Sequence, residues 1–200
     1  MLYLSEMKRL SLYLFLVLFT LPTPSQADDI RDFQIEGMSL GDSALDYFSK
    51  GKIIKGKQNY YKNKKASVSW IITNSEKFTG TQLHWWTNDK RFKIIAVSGI
   101  KKFINNMKGC YELQNIIDKE LSGTFIDARR KAYKKKHIAD PTGKSTDKSM
   151  IHTLKDGNKA AVSCYDWSKK IEDELDYFDH LHLSLITKKF NDWLLYEAYK

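Results

Sequence analysis

The amino-acid sequence predicts an α+β fold, an antiparallel sheet of about six strands with two helices packed on one face. Six stretches are rich in β-branched and aromatic residues, several of them alternating between apolar and polar positions. Two further stretches repeat apolar residues at helical spacing. The order of a helix followed by three strands occurs twice, which raises the hypothesis of a duplicated α-β-β-β unit.

Residues 1–27 have the pattern of a removable secretory signal. A basic pair, an apolar run and two prolines precede Ser25 and Ala27, small residues that suit a signal peptidase. The apolar run is too short for an anchor, because crossing ~30 Å of hydrocarbon needs roughly 20 apolar residues. We therefore expect cleavage after Ala27, a single α+β domain over 28–200, and a periplasmic or secreted location.

The first half of the predicted domain begins with a helix over 40–49. Ser39 and Asp42 resemble a capping box, and the apolar positions that follow share one helical face. A lysine-rich connection then leads to strands over 67–73, 81–87 and 91–98, with a turn at 88–90.

The second half begins with a helix over 109–121, with Gly123 placed to end it. The basic and polar segment 127–147 is predicted to be a long loop. Strands are expected over 148–154, 160–167 and 177–187, with a hairpin turn at Asp156-Gly157 and an acidic turn at 172–174. The closing segment 193–196 fits a short helix or a final strand.

The chain contains two cysteines, Cys110 and Cys164. An isolated pair in an exported protein is more often bridged than free. We predict a disulfide between them, worth about 4 kcal/mol in the chain-entropy model. Their spacing excludes a CxxC redox motif.

The formal net charge is +9, and the positive residues form two clusters. One has seven lysines within residues 50–65. The other consists of Arg129, Arg130, Lys131, Lys134, Lys135 and Lys136. Outside the cytoplasm such clusters would meet lipid headgroups, lipopolysaccharide or acidic polymers rather than nucleic acid. The alternative is that both are solvated loops that keep the protein soluble.

Two histidines are the candidates for a metal site. His180 and His182 alternate with leucines, so their side chains are expected on one face of a strand. With the neighbouring Asp179, and His84 or His152 as a third ligand, they could bind zinc or copper. The alternative is a pair of surface histidines on a solvated sheet face. The sequence favours the alternative, so no metal and no cofactor is predicted.

Two other motifs resemble catalytic or nucleotide-binding signatures. Gly37-Met38-Ser39-Leu40-Gly41 has the spelling of a nucleophile elbow, but the chain lacks the strand-turn-helix context, and helix capping explains the serine. Segment 140–146 ends like a phosphate-binding loop, yet Ile138 stands where that motif needs its first glycine. Neither motif indicates a reaction.

The segment Ile35-Glu36-Gly37-Met38-Ser39-Leu40-Gly41-Asp42-Ser43 resembles the start of uncharacterised small exported proteins of the bacterial envelope. It is also similar to the SmpA/OmlA-type outer-membrane assembly lipoproteins, in which a Gly-Met-Ser or Gly-Met-Thr turn caps the first helix. This chain lacks their lipidation cysteine and is longer. The resemblance implies an envelope location and assigns no functional residue.

Together these features predict an exported, soluble cell-envelope protein that acts as a binding or interaction module for an unknown ligand. The two basic segments are its expected contact surface for an anionic envelope component or an envelope protein. The alternative is a secreted hydrolase or metal-dependent enzyme that uses His180 and His182. Because no catalytic motif is present, the sequence favours a protein that is not an enzyme.

Overall fold

The computed structural model describes residues 29–73 and 75–200, so the predicted signal and its cleavage site after Ala27 lie outside the described residues. Within that part of the chain, one antiparallel sheet of eight strands is combined with four α-helices. The strands are β1 (Lys57–Gln58), β2 (Ala66–Ile72), β3 (Gly80–Trp86), β4 (Ala96–Lys102), β5 (Arg129–Lys136), β6 (Thr146–Thr153), β7 (Lys159–Asp166) and β8 (His180–Ile186). The helices are α1 (Lys50–Lys55), α2 (Met107–Thr124), α3 (Lys169–Leu175) and α4 (Lys188–Tyr196). None of these helices is long and apolar enough to cross a membrane.

The strand order is β1-β2-β3-β4-β8-β7-β6-β5. The sheet therefore consists of two four-stranded meanders that meet at their last strands, with β4 and β8 paired antiparallel at the centre. The helix α1 precedes the first meander, and α2 precedes the second. The predicted α+β class with an antiparallel sheet is confirmed. The expected number of about six strands is wrong, because β1 and β5 add one strand at each edge.

The apolar core lies between the sheet and the helices α1 and α2. It includes Leu83, Val97 and Leu183 from the strands and Ile53 from α1. Cys110 on α2 and Cys164 on β7 form the predicted disulfide, with their Cα atoms 6.1 Å apart. The bridge fixes α2 across the second meander.

The helix α4 packs on the opposite face of the sheet. Its Phe190 and Trp193 form a second apolar cluster with Ala66, Ile95 and Ala96. The helices α1 and α2 share one face, as expected of two helices, and α4 covers the other face, which the sequence had left open.

The predicted helix over 40–49 is absent, and the segment instead contains a single 3-10 turn, Ala44–Asp46, before α1 begins. Its backbone bonds explain the difference. The amides of Gly41 and Ala44 donate to the carbonyls of Ile94 and Phe92 at 2.9 and 3.1 Å, so tertiary bonds replace helical ones. Gly41 adopts a φ of 96°, which a helix excludes. Because the backbone groups of Phe92 and Ile94 bond to residues 41–44, β4 begins at Ala96 rather than near the predicted position 91.

Several predicted elements of the second half also differ from the structure. The predicted loop over 127–147 contains the eight-residue strand β5, and the predicted acidic turn at 172–174 lies within α3. Gly123 lies inside α2, which ends one turn later than expected. The closing segment 193–196 belongs to α4. The predicted strands over 148–154, 160–167 and 177–187 correspond to β6, β7 and β8.

Candidate anion-binding surface

The two basic clusters lie at opposite edges of the sheet. The lysines of residues 50–65 are distributed over α1, β1 and the following irregular segment, next to one edge. The residues 129–136 form β5, the other edge. Adjacent strands are ~4.8 Å apart, so roughly 30 Å separates β1 from β5 along the sheet. The clusters are therefore two surfaces and not one.

The strand β5 carries six cations among its eight residues. It pairs with β6 alone, from Arg129 opposite Thr153 to Lys136 opposite Thr146. Seven of its eight side chains are exposed, and only Tyr133 is half-buried. Eight strand residues span about 26 Å. Long side chains of one charge thus occupy both ends of the free edge of the second meander, on either side of Ala132 and Tyr133.

Most of the charge on β5 has no acidic partner. Arg130 pairs with Asp118, and Lys135 lies 3.9 Å from Asp147. Among the residues the structure describes, no ion pair joins the remaining four cations to a carboxylate. These are Arg129, Lys131, Lys134 and Lys136. The edge therefore presents a net positive field to solvent.

One position on β5 holds two like charges directly opposite each other. Lys134 faces Lys148 of β6 in the register of the hairpin. Both ammonium groups lie near the ring of Tyr111 on α2, at 5.7 and 4.7 Å from its centroid. Like charges directly opposite each other destabilise a sheet, and the ring of Tyr111 offsets that repulsion. The pair concentrates positive charge at the middle of the edge hairpin.

An ion-pair network joins β5 to the body of the protein. Asp118 of α2 is almost buried, and Arg130 donates to it from Nε and Nη2 at 2.9 and 2.8 Å. His152 of β6 contributes a third bond from Nε2, at 2.9 Å. Burial acts to raise the pKa of Asp118, but the bonds from Arg130 and His152 hold that pKa below its usual range. This network fixes the edge hairpin to α2.

The candidate metal ligands do not converge. His180 and His182 share the face opposite α2, as predicted, but His152 lies on the α2 face against Asp118. The suggestion of His152 as a third ligand is therefore wrong. His84 shares their face, yet its Nδ1 bonds to the hydroxyl of Tyr61. Nowhere in residues 29–73 and 75–200 do three or more His, Cys, Asp or Glu side chains form a group that could hold a metal ion.

His180 and His182 are half-buried among aromatic rings rather than solvated. The ring of His180 stacks on Tyr165 at 4.9 Å, and its Nδ1 donates to the carbonyl of Phe178. Burial lowers the pKa of His180 to about 4 and that of His182 to about 3. The carboxylate of Asp179 accepts the backbone N–H of Trp167 at 2.7 Å. Both rings are therefore neutral near pH 7, and their neighbouring carboxylate is already bonded to the backbone.

The two other motifs have structural roles. The hydroxyl of Ser39 donates to the carbonyl of Arg31 at 2.9 Å, inside a turn closed by the side chain of Asp42. In segment 140–146, the amides of Thr142 and Ser145 donate to the carboxylate of Asp140 at 2.8 and 2.9 Å. A phosphate-binding loop would need such amides free to face the ligand. This loop instead encloses its own anion.

A shallow depression of about 550 Å³ lies beside α4, lined in part by Trp86, Trp193 and Lys189. Its two carboxylates are paired with lysines, Asp192 with Lys188 and Glu197 with Lys65. Both carboxylates of the depression are therefore held in ion pairs.

Sequence and structure comparisons found no matching protein family, curated protein or solved structure. The similarity of residues 35–43 to the SmpA/OmlA-type lipoproteins stays a prediction. In this chain the segment is followed by a 3-10 turn and not by the capped helix that the resemblance implied.

Proposed function

We propose that this protein is an exported cell-envelope binding module that holds an anionic partner along β5. The observation that carries the proposal is the set of six cations on an eight-residue exposed edge, four of which form no ion pair with any carboxylate of the described residues. Each such cation contributes about 1 kcal/mol of attraction close to an anionic surface. The lysines of residues 50–65 contribute to the general field, but they are distributed over a short helix, a two-residue strand and an irregular segment.

Two features support export. The Cys110–Cys164 disulfide suits an oxidising compartment, where such bonds persist. The pattern of residues 1–27 is that of a cleavable signal. We place the mature protein in the periplasm or the surrounding medium, with residues 28–200 as its domain.

The alternative function, a secreted hydrolase or a metal-dependent enzyme, has less support. His180 and His182 are packed against aromatic rings, and no carboxylate is bonded to either of them among the described residues. The competing structural explanation of β5 is protection, since lysines on an edge strand discourage pairing with other chains. β5 carries four lysines together with two arginines, a charge density that also suits an anionic partner.

The topology also supports an origin of the fold by duplication. Each half consists of a helix followed by a four-stranded meander whose last strand lies at the centre of the sheet. The repeated unit we propose is thus α-β-β-β-β, one strand longer than the sequence suggested.

Neutralising the cations tests the proposal. The triple variant Lys131→Gln, Lys134→Gln, Lys136→Gln should bind a sulfated polysaccharide at least about tenfold more weakly than the unmodified protein. Raising the salt concentration should weaken the unmodified protein in the same way. The matched control is Lys52→Gln, Lys55→Gln, Lys57→Gln, which removes equal charge from the other edge. An equal loss in the control, or no loss in the β5 variant, would refute a role for this edge.

A further inference from the structure

Two of the most exposed isoleucines in the structure lie at the two ends of β5. Ile126 is 64% exposed and Ile138 is 89% exposed. Each occupies the second position of a tight turn. In the turn before β5, the amide of Ala128 donates a hydrogen bond to the carbonyl of Phe125 at 3.0 Å. In the turn after β5, the amide of Asp140 donates to the carbonyl of His137 at 3.1 Å. The cationic strand is thus flanked on both sides by a protruding aliphatic side chain.

The geometry of these turns does not require isoleucine. Tight turns favour polar residues, proline and glycine. An isoleucine side chain exposed to water contributes no hydrophobic stabilisation to the fold. A soluble polyanion would offer these two side chains no apolar contact. An anionic bilayer offers headgroups for the cations and acyl chains for the isoleucines.

We propose that β5 docks on the surface of an anionic lipid bilayer, with Ile126 and Ile138 inserted between the headgroups. This inference rests on the proposed function and names the partner of the same surface. The chain from one isoleucine to the other spans at most about 40 Å. Because β5 is an edge strand, a flat surface can meet both turns and the strand between them along one line.

The side chains of β5 suit such a contact from both faces of the sheet. Arg129 and Lys131 extend on one face, and Lys134 and Lys136 on the other. Long basic side chains direct their charged ends to a polar boundary while their methylene stems stay on apolar surface. Tyr111, which lies next to Lys134 and Lys148, is a side chain of the kind enriched at membrane interfaces.

The test separates the lipid from other anions. We would measure binding to vesicles of phosphatidylcholine mixed with phosphatidylglycerol, to vesicles of phosphatidylcholine alone, and to the sulfated polysaccharide. The variant Ile126→Ser, Ile138→Ser keeps every charge. It should bind the mixed vesicles about tenfold more weakly and the polysaccharide as before. The matched control, Ile72→Ser, Ile104→Ser, replaces two other isoleucines, 59% and 58% exposed, and should bind both as the unmodified protein does.

The outcomes distinguish the two proposals. If the unmodified protein binds the polysaccharide and not the mixed vesicles, the lipid inference fails and the proposed function stands. If it binds neither, the proposed function fails as well. Equal vesicle binding by the unmodified protein and the Ile126, Ile138 variant would exclude insertion. Tight binding to phosphatidylcholine alone that the triple lysine variant leaves unchanged would exclude docking through the cations of β5, because charge would then play no part.

Discussion

The two edges of the sheet occupy equivalent places in the topology and are built very differently. The first edge, β1, has two residues, and the helix before it, α1, has six. The second edge, β5, has eight residues, and α2 has eighteen. A short strand is the usual way to leave an edge harmless. The second half instead extends a long edge and lines it with lysines and arginines.

The long edge also needs more support than the short one. No side chain of β5 is fully buried, so the hydrophobic effect contributes little to holding it. The disulfide and the Asp118 network provide covalent and ionic attachment to α2. The first half shows neither device among its described residues. The difference teaches that an exposed, charged strand is positioned through its neighbours rather than by its own packing.

Removing the disulfide should produce the largest effect and should act on the second half. The bridge closes a loop between residues 54 positions apart, so Cys110→Ala, Cys164→Ala should lower the free energy of unfolding by about 4 kcal/mol. The melting temperature should fall by roughly 10 °C. Hydrogen exchange should then accelerate in α2 and β5 more than in β2 and β3. Equal acceleration in both halves would contradict the assignment of the bridge to the support of one edge.

Breaking the ion-pair network should have the next largest effect. Asp118→Asn leaves Arg130 and His152 without their carboxylate, and we expect a loss of about 3 kcal/mol in urea denaturation. The matched control is Asp127→Asn, which breaks an exposed pair with Lys155 and should cost less than about 1 kcal/mol. A similar cost for both variants would show that the network does not anchor β5.

Acid should destabilise the first half through His84. Burial lowers the pKa of this ring to about 3, against 6.5 in the unfolded chain. Below pH 6.5 the His84 ring therefore binds a proton in the unfolded state but stays neutral in the folded state. The free energy of unfolding consequently falls as the pH falls. The slope is about 1.4 kcal/mol per pH unit, or about 2 kcal/mol of stability lost by pH 5. Denaturation of His84→Gln at pH 7 and pH 5 should show a smaller loss than the unmodified protein, and an identical loss would contradict burial of a neutral ring.

The smallest effect should distinguish stability from binding at the long edge. Lys134→Glu replaces a repulsive pair with an attractive one opposite Lys148, so we expect a gain of about 0.5 kcal/mol in thermal denaturation. The same variant should bind anionic probes more weakly. Lys52→Glu on α1 serves as the control and should change stability little. A destabilised Lys134→Glu would show that the lysine has a structural partner.

Much of the fold could be predicted because its inner strands bury apolar residues. β7 and β8 carry Val162, Cys164 and Leu183 toward α2, and that burial is visible in the sequence as alternation. The disulfide followed from the cysteine count together with the expected export. The helix over 40–49 could not be rejected from sequence, because the bonds that replace it come from residues 92–94, far away in the chain.

The composition of the candidate surface could be predicted from the sequence, but its structure could not. The basic residues of β5 could be identified from the sequence, but their segment was predicted to be a loop. A strand without buried residues shows no alternation of apolar and polar positions. Backbone pairing with β6 alone makes it a strand. The Asp118–Arg130–His152 network was missed for a similar reason. Its members come from a helix and two strands, and no local spacing joins them.

The pairing of β4 with β8 has a consequence for how the chain folds. Partners such as Ile100 and His182 are far apart in sequence, so the central seam cannot close until the last strand has been made. Until then the backbone N–H and C=O groups on one side of β4 have no partner strand, and its apolar side chains stay exposed. Such surfaces bind chaperones or aggregate. A chain shortened before β8 should therefore accumulate as insoluble material rather than as a stable half-molecule.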